Sequence, residues 1–227
     1  MARSVKKPLG GVRGRVGGVI YRYMNGRTFI SVHNEKYNIS QTKESKNNRS
    51  KFGTTIKFSK TVNSISDLKK VWDHSSAPGR SAYTKIFKHN SMSIQSDFVS
   101  AVCSITPGGI GCKIESFEFN INDAIVRIKI DRTFGQNLLP PYNAHFVVFL
   151  NDPVNPELHS YINFVNTSTL IDAESPDDYQ TIIGHFIDSS SDLISKYKKA
   201  TVFFAITKTD SKPFEWLSSA SKEFNIS

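Results

Sequence analysis

The sequence predicts an α+β protein in two parts. Residues 1–91 form a basic region with an arm, a β-hairpin and two helices, and residues 92–227 form an immunoglobulin-like antiparallel β-sandwich. Three observations predict this. Asn25-Gly26 lies between two short runs rich in β-branched and aromatic residues, the strongest short-range hairpin signal. Apolar residues recur at helical spacing between positions 52 and 72. After residue 91 the apolar period falls to two, and turn clusters interrupt it.

Taken in order, residues 1–16 mix Lys and Arg with Gly and Pro and read as an extended arm. Val19, Ile20, Tyr21, Tyr23 and Met24 make a strand, and Thr28 to Val32 return. On such a strand Tyr21 and Tyr23 share one face and Arg22 takes the other. A lone hairpin is marginal in water, so it needs a surface to dock on. Residues 34–47 read as a polar loop. From 48 to 72, Phe52, Ile56, Val62, Ile65, Leu68 and Trp72 fall on one side of a helix, although Gly53 and Thr54-Thr55 weaken its first turns. "HSSAPGRS" at 74–81 breaks the pattern, and residues 82–90 resume it, which suggests an αα-hairpin.

Farther on, Val126, Ile128 and Ile130 alternate with Arg127, Lys129 and Asp131 as a half-buried strand. "IESFEFNI" pairs with it through Asn122-Asp123. Further strands are expected at 98–104, 145–150, 161–165, 179–187 and 200–208, between the turn clusters "LLPPYN", "NDPVNPE", "ESPDD", "DSSSD" and "TDSKP". About seven short strands at this spacing favour a sandwich. The Cys–Trp–Cys signature of antibody domains is missing, which leaves the topology open.

The net charge of +9 conceals a division. Residues 1–90 hold 19 Lys/Arg against 4 Asp/Glu, whereas residues 91–227 hold 10 against 16. Such asymmetry points to a polyanionic partner, or to subunits packing basic face against acidic face. No apolar run is long enough to span a membrane, and no apolar segment follows the basic start as in a secretory signal. The expectation is cytoplasmic synthesis, with incorporation into a virion or release as an assembly. Cys103 and Cys112 flank a Pro107-Gly108-Gly109 turn, and in the cytosol both are expected as thiols.

No chemistry is spelled out by the motifs. Gly11, Gly14, Gly17 and Gly18 do not follow a strand or open a helix, so they are no dinucleotide fingerprint, and no Walker loop occurs. The six histidines lack metal-ligand spacing; His145 and His185 lie in apolar runs and read as core residues. There is no nucleophile elbow, and Asp177-Asp178 reads as a solvated turn. The expectation is a non-enzymatic protein with no cofactor, metal or catalytic residues. An enzyme whose site assembles from distant residues ranks third.

Self-assembly ranks first: a glycine-rich arm, a hairpin needing a dock and oppositely charged halves fit head-to-tail contacts in a filament, shell or virion. The expected partner is a second copy, in a homo-oligomer or polymer. Nucleic acid is the alternative partner, with Arg13, Arg15, Arg22, Arg27, Lys43, Lys46, Arg49 and Lys51 on phosphates and Tyr21, Tyr23 and Phe29 for stacking. The residues expected at an assembly or polyanion contact are Arg13, Arg15, Tyr21, Arg22, Tyr23, Asn25, Gly26, Arg27, Arg49 and Phe52.

The order of glycine-rich arm, "VIYRYMNGRTFISV", polar linker and "NNRSKF" opening a helix resembles an uncharacterised bacterial and phage-associated family. Its members begin with spaced glycines, a short V-x-Y-x-x-x-N/K-G hairpin and a downstream Arg-x-x-Phe on a helix. The matching positions here are Gly11, Gly14, Gly17, Tyr21, Asn25, Gly26, Arg49 and Phe52, and the match spans roughly the first 90 residues. The resemblance implies a structural or assembly role and a closing immunoglobulin-like β-domain.

Overall fold

A computed structural model describes residues 3–5, 11–24, 27–33, 40–108, 111, 113–131, 141–157, 160, 162–171, 178–187, 189–210 and 213–226. The chain is mixed α+β with β-structure dominant. It divides into two compact units, Met1–Thr42 and Lys43–Ser227.

The first unit is an antiparallel meander of four strands, β1 (Arg3–Val5), β2 (Gly11–Val16), β3 (Val19–Met24) and β4 (Arg27–Val32), in the order β1-β2-β3-β4. The expected unpaired arm is therefore corrected: two of its segments are strands. Val16 pairs with Val19, so Gly17-Gly18 is a two-residue hairpin loop. Gly17 has φ +55°, where a side chain is strained, and Gly-Gly suits the tight turn. Met24 pairs with Arg27 across Asn25 and Gly26, which themselves lie outside the described residues.

In the second unit, α1 (Lys43–Ser64), α2 (Ser66–His74) and α3 (Ala82–Asn90) precede the sheets. α1 begins five residues before the expected start, in the polar run 43–47, which has no apolar residue to show a period. The expected single helix breaks at Ile65, whose backbone is extended (φ −82°, ψ 114°). α3 has the expected bounds. Its N-cap Ser81 and Thr84 form a reciprocal capping box.

One three-stranded sheet joins β5 (Ile114–Asn120), β6 (Ile125–Asp131) and β9 (Tyr179–His185), in the order β5-β6-β9. A five-stranded sheet joins β7 (Tyr142–Pro153), β8 (Ile162–Ile171), β10 (Tyr197–Lys208), β11 (Glu215–Trp216) and β12 (Ala220–Asn225). In it β10 and β7 are central, β8 flanks β7, and both β11 and β12 pair with β10. A short helix, α4 (Ser189–Ile194), precedes β10. The expected strand at 98–104 is corrected. That stretch makes one bridge, Ile94 to Val99, and side chains take its main-chain groups instead: Val99 N–H donates to Asn151 Oδ1, and Thr201 Oγ1 donates to the Val99 carbonyl at 2.7 Å.

The central strands β7 and β10 of the five-stranded sheet are buried on both faces. Phe146, Val148, Leu150, Val202, Phe204 and Ile206 pack against Phe117, Val126, Ile128, Ile130 and Ile182 of the smaller sheet. From the other face, Val147, Phe149, Phe203 and Ala205 pack against Phe58, Val62, Leu68, Trp72 and Ile86 of the helices. The expected boundary at residues 91/92 is thus not where contacts part, because α1 to α3 form a third layer on the sheet. Gly184 allows the two sheets to close, since a Cβ there would sit 2.5 Å from Phe146 Cδ2. Cys103 is a buried free thiol that burial pushes up to about 12; Cys112 lies outside the described residues.

Side chains bridge both open sides of this pair of sheets. Lys222 Nζ on β12 donates to the Phe117 carbonyl on β5 at 3.1 Å. Thr169 Oγ1 on β8 donates to the Ile183 carbonyl on β9 at 3.1 Å. Among the described residues, no helix is long and apolar enough to cross a membrane.

Candidate functional site

The N-terminal sheet gathers most of the expected contact residues. Residues directly opposite on neighbouring antiparallel strands share a face, and successive residues alternate between faces. The pairs Arg15–Ile20, Arg22–Phe29 and Ile20–Ser31 therefore define one face, and Arg27, two residues before Phe29, belongs to it. The pairs Val16–Val19, Gly14–Tyr21, Tyr21–Ile30, Tyr23–Thr28 and Val19–Val32 define the other. All the described charged side chains of this sheet thus fall on one face, while Val16, Val19, Tyr21, Tyr23, Ile30 and Val32 make the opposite face apolar.

No described side chain of residues 14–33 is buried. Val16, Ile30 and Val32 are 53%, 67% and 83% exposed on the apolar face, and Phe29 is 53% exposed beside the arginines. β4 is fully exposed and pairs with β3 along one edge; among the described residues nothing pairs along its other edge. Arg15 Nε donates to the Gly17 carbonyl at 2.9 Å, which holds its stem across the turn.

Arg13 sits in β2 opposite Arg3, with its side chain outside the described set. Arg49 and Phe52 are on α1, in the second unit. Arg49 Nη1 donates to Ser45 Oγ at 2.8 Å, and Phe52 meets the Phe87 ring of α3 edge-on at 5.6 Å. Residue types at the hairpin were readable from alternation. Val16, Ile30 and Val32 were missed as contact residues, although Val12 and Val16 already alternate with Arg13 and Arg15 in the sequence.

A polar cluster in the second unit surrounds His145. It is 1% exposed, as expected of a core histidine, whereas His185 is exposed on β9. His145 Nδ1 is 2.7 Å from Ser168 Oγ, and Nε2 is 2.8 Å from Thr207 Oγ1 and 3.9 Å from Asp67 Oδ2. Ser168, His145, Thr207 and Asp67 thus lie in one polar group between α2, β7, β8 and β10. Burial pushes His145 down to about 4, only partly offset by the Asp67 charge, so the ring is neutral near pH 7. Burial pushes Asp67 up. Hydrogen bonds from Thr209 and Lys70, with the His145 and Lys70 charges, outweigh that and hold its carboxyl below the usual range. Its second oxygen accepts from Asn143 Nδ2 at 2.9 Å. Helix α2 is thereby tied to β7 and to the end of β10.

The surface recesses are open. One of about 770 Å³ is lined by Lys43, Lys46, Asn47, Ser50, Ser96 and Asp97, where Ser50 Oγ donates to the Ser96 carbonyl at 2.7 Å. Among the described residues, no three metal-ligating side chains converge. In comparison with known proteins, no family model, curated protein or solved structure matches the chain.

Proposed function

We propose that this protein is a non-enzymatic structural subunit that self-assembles, with its N-terminal sheet docking on a second copy to build a filament, shell or virion component. The exposed apolar residues on one face of that sheet carry the reading. A single-layer sheet removes its apolar face from water only when something packs on it. Here Val16, Ile30 and Val32 are more than half exposed. An exposed apolar patch of this kind marks an interaction site. The edge of β4 that pairs with none of the described strands offers main-chain hydrogen bonds to a neighbour's strand. Charge supports a head-to-tail contact: residues 1–42 hold eight Lys/Arg against one acidic residue, whereas residues 91–227 are net acidic. The resemblance to a phage-associated family implies the same kind of role.

The two sheets read as an immunoglobulin-like sandwich. Strand order supports this. Counting β5 to β10 and then β12 as seven strands, the first, second and fifth form one sheet, and the third, sixth and seventh lie in the other. That is the partition of A, B, E from C, F, G in immunoglobulin domains. The fourth strand joins the third, as C′ does.

The test is mass photometry and negative-stain microscopy on nuclease-treated protein, beside an Ile30→Asp/Val32→Asp variant. Regular assemblies of the natural chain and a folded monomer for the variant are expected. A natural chain that stays a monomer of 25.5 kDa at micromolar concentration would overturn the reading.

A further inference from the structure

The second face of the N-terminal sheet has a different chemistry, and it does not depend on the assembly reading. Arg15, Arg22 and Arg27 project from one side of β2, β3 and β4, and all three are exposed. Residues 11–33 contain no Asp or Glu, so nothing within the sheet neutralises them. The same residues contain four arginines and no lysine, whereas α1 places Lys43, Lys46, Lys57 and Lys60 on its exposed surface. Solubility alone does not require that choice. The guanidinium fork matches phosphate oxygens two at a time, as an ammonium cannot. Phe29 stands opposite Arg22 on the same face with half its surface open, an aromatic plane among the cations.

We propose that this face binds single-stranded nucleic acid, with Arg15, Arg22 and Arg27 on phosphates and a base stacked on Phe29. Cations that track a backbone, together with an exposed aromatic, are the two parts such binding uses. A single strand can splay a base onto Phe29; a duplex keeps its bases stacked on each other. An acidic protein surface would meet the charge but would leave the exposed ring unused. Because the arginines and the apolar patch occupy opposite faces, a neighbouring copy and a nucleic-acid strand can be held together.

The test is fluorescence anisotropy of the full chain with labelled oligo-dT across a salt series. The triple variant Arg15→Ala/Arg22→Ala/Arg27→Ala is expected to lower the log–log salt slope by about 2, three phosphate contacts at ~0.7 each. Phe29→Ala is expected to weaken binding about ten-fold with the slope unchanged. Replacing the three arginines by lysine keeps the charge, so it should retain the slope but weaken binding. Lys57→Ala/Lys60→Ala on α1 should leave the slope as it is. Ile30→Asp/Val32→Asp should bind oligo-dT while failing to assemble, which separates this proposal from the assembly reading. An unchanged slope in the triple alanine variant, an equal loss in the lysine variant on α1, or competition by duplex DNA or poly-glutamate as strong as by oligo-dT would each overturn it.

Discussion

Phe58 of α1 lies stacked on Phe149 of β7, with ring centroids 4.9 Å apart and planes 23° from parallel; Phe203 of β10 meets both edge-on, at 5.9 and 5.8 Å. This aromatic trio joins the helical layer to the larger sheet. Phe58→Ala is expected to cost about 3–5 kcal/mol, the usual range for truncating a buried Phe. Urea unfolding followed by far-UV and near-UV circular dichroism checks it. Both signals should shift together, because helices and sheets share a core. Separate transitions would mean that the helices fold as a domain of their own.

Gly184 is set by its neighbour. With Phe146 ring carbons 2.5 to 2.9 Å from any added Cβ, Gly184→Ala must push the facing sheets apart. The expected loss is about 1–3 kcal/mol. Thermal melts should show it, and adding Phe146→Leu should recover part of it, since contacting sites are not additive.

The buried imidazole makes stability depend on pH. Unfolded, His145 titrates near 6.5; folded, it titrates near 4. Between these values the unfolded chain holds a proton that the folded chain refuses. This contribution to stability is present above pH 6.5 and is lost as pH falls toward 4, on the order of 2 kcal/mol by pH 5. Denaturant unfolding at pH 7.5 and pH 5 should show a smaller drop for His145→Gln than for the natural chain. Equal drops would place the dependence on other groups.

Lys222 guards an edge. Lysine on an edge strand opposes pairing with another chain, and here it also occupies the Phe117 carbonyl. Lys222→Val should raise light scattering on standing while moving the unfolding free energy by under about 1 kcal/mol. No rise in scattering would remove the protective role.

Legibility in the sequence followed the strength of local signals. Pro78-Gly79 and Ser81 marked α3 to the residue, and Asn25-Gly26 sits where Met24 pairs with Arg27. β5 and β6 were readable from alternation. The break at Ile65 was not, because Val62, Ile65 and Leu68 keep helical spacing across it. β12 was missed because "ASKEFN" is polar, as edge strands are. The helical layer was assigned to the wrong body, although "HFVVFL" and "TVFFAI" carry the signal: a run apolar at both parities belongs to a strand covered on both faces. At the candidate site, the opposition of Arg22 to Tyr21 and Tyr23 is readable, but the glycines and prolines of residues 1–16 read as an arm, and without Gly17-Gly18 as a turn the two strands before it stay hidden.

The double burial of β7 and β10 also bears on how their alignment is chosen. In most sheets a one-residue slip exposes apolar groups and is rejected for that reason. Here a slip would exchange one greasy surface for another, so hydrophobicity is nearly blind to the error. The few polar side chains in these strands supply the discrimination. His145 meets Ser168 directly across the β7–β8 ladder and Thr207 diagonally on β10, and Asn151 Nδ2 reaches Thr201 Oγ1 at 3.3 Å. Any shift strands these groups without partners in a dry interior, at a cost of about 1–3 kcal/mol each. They act as notches on a key: they add little to adhesion, and they fix which alignment the chain accepts.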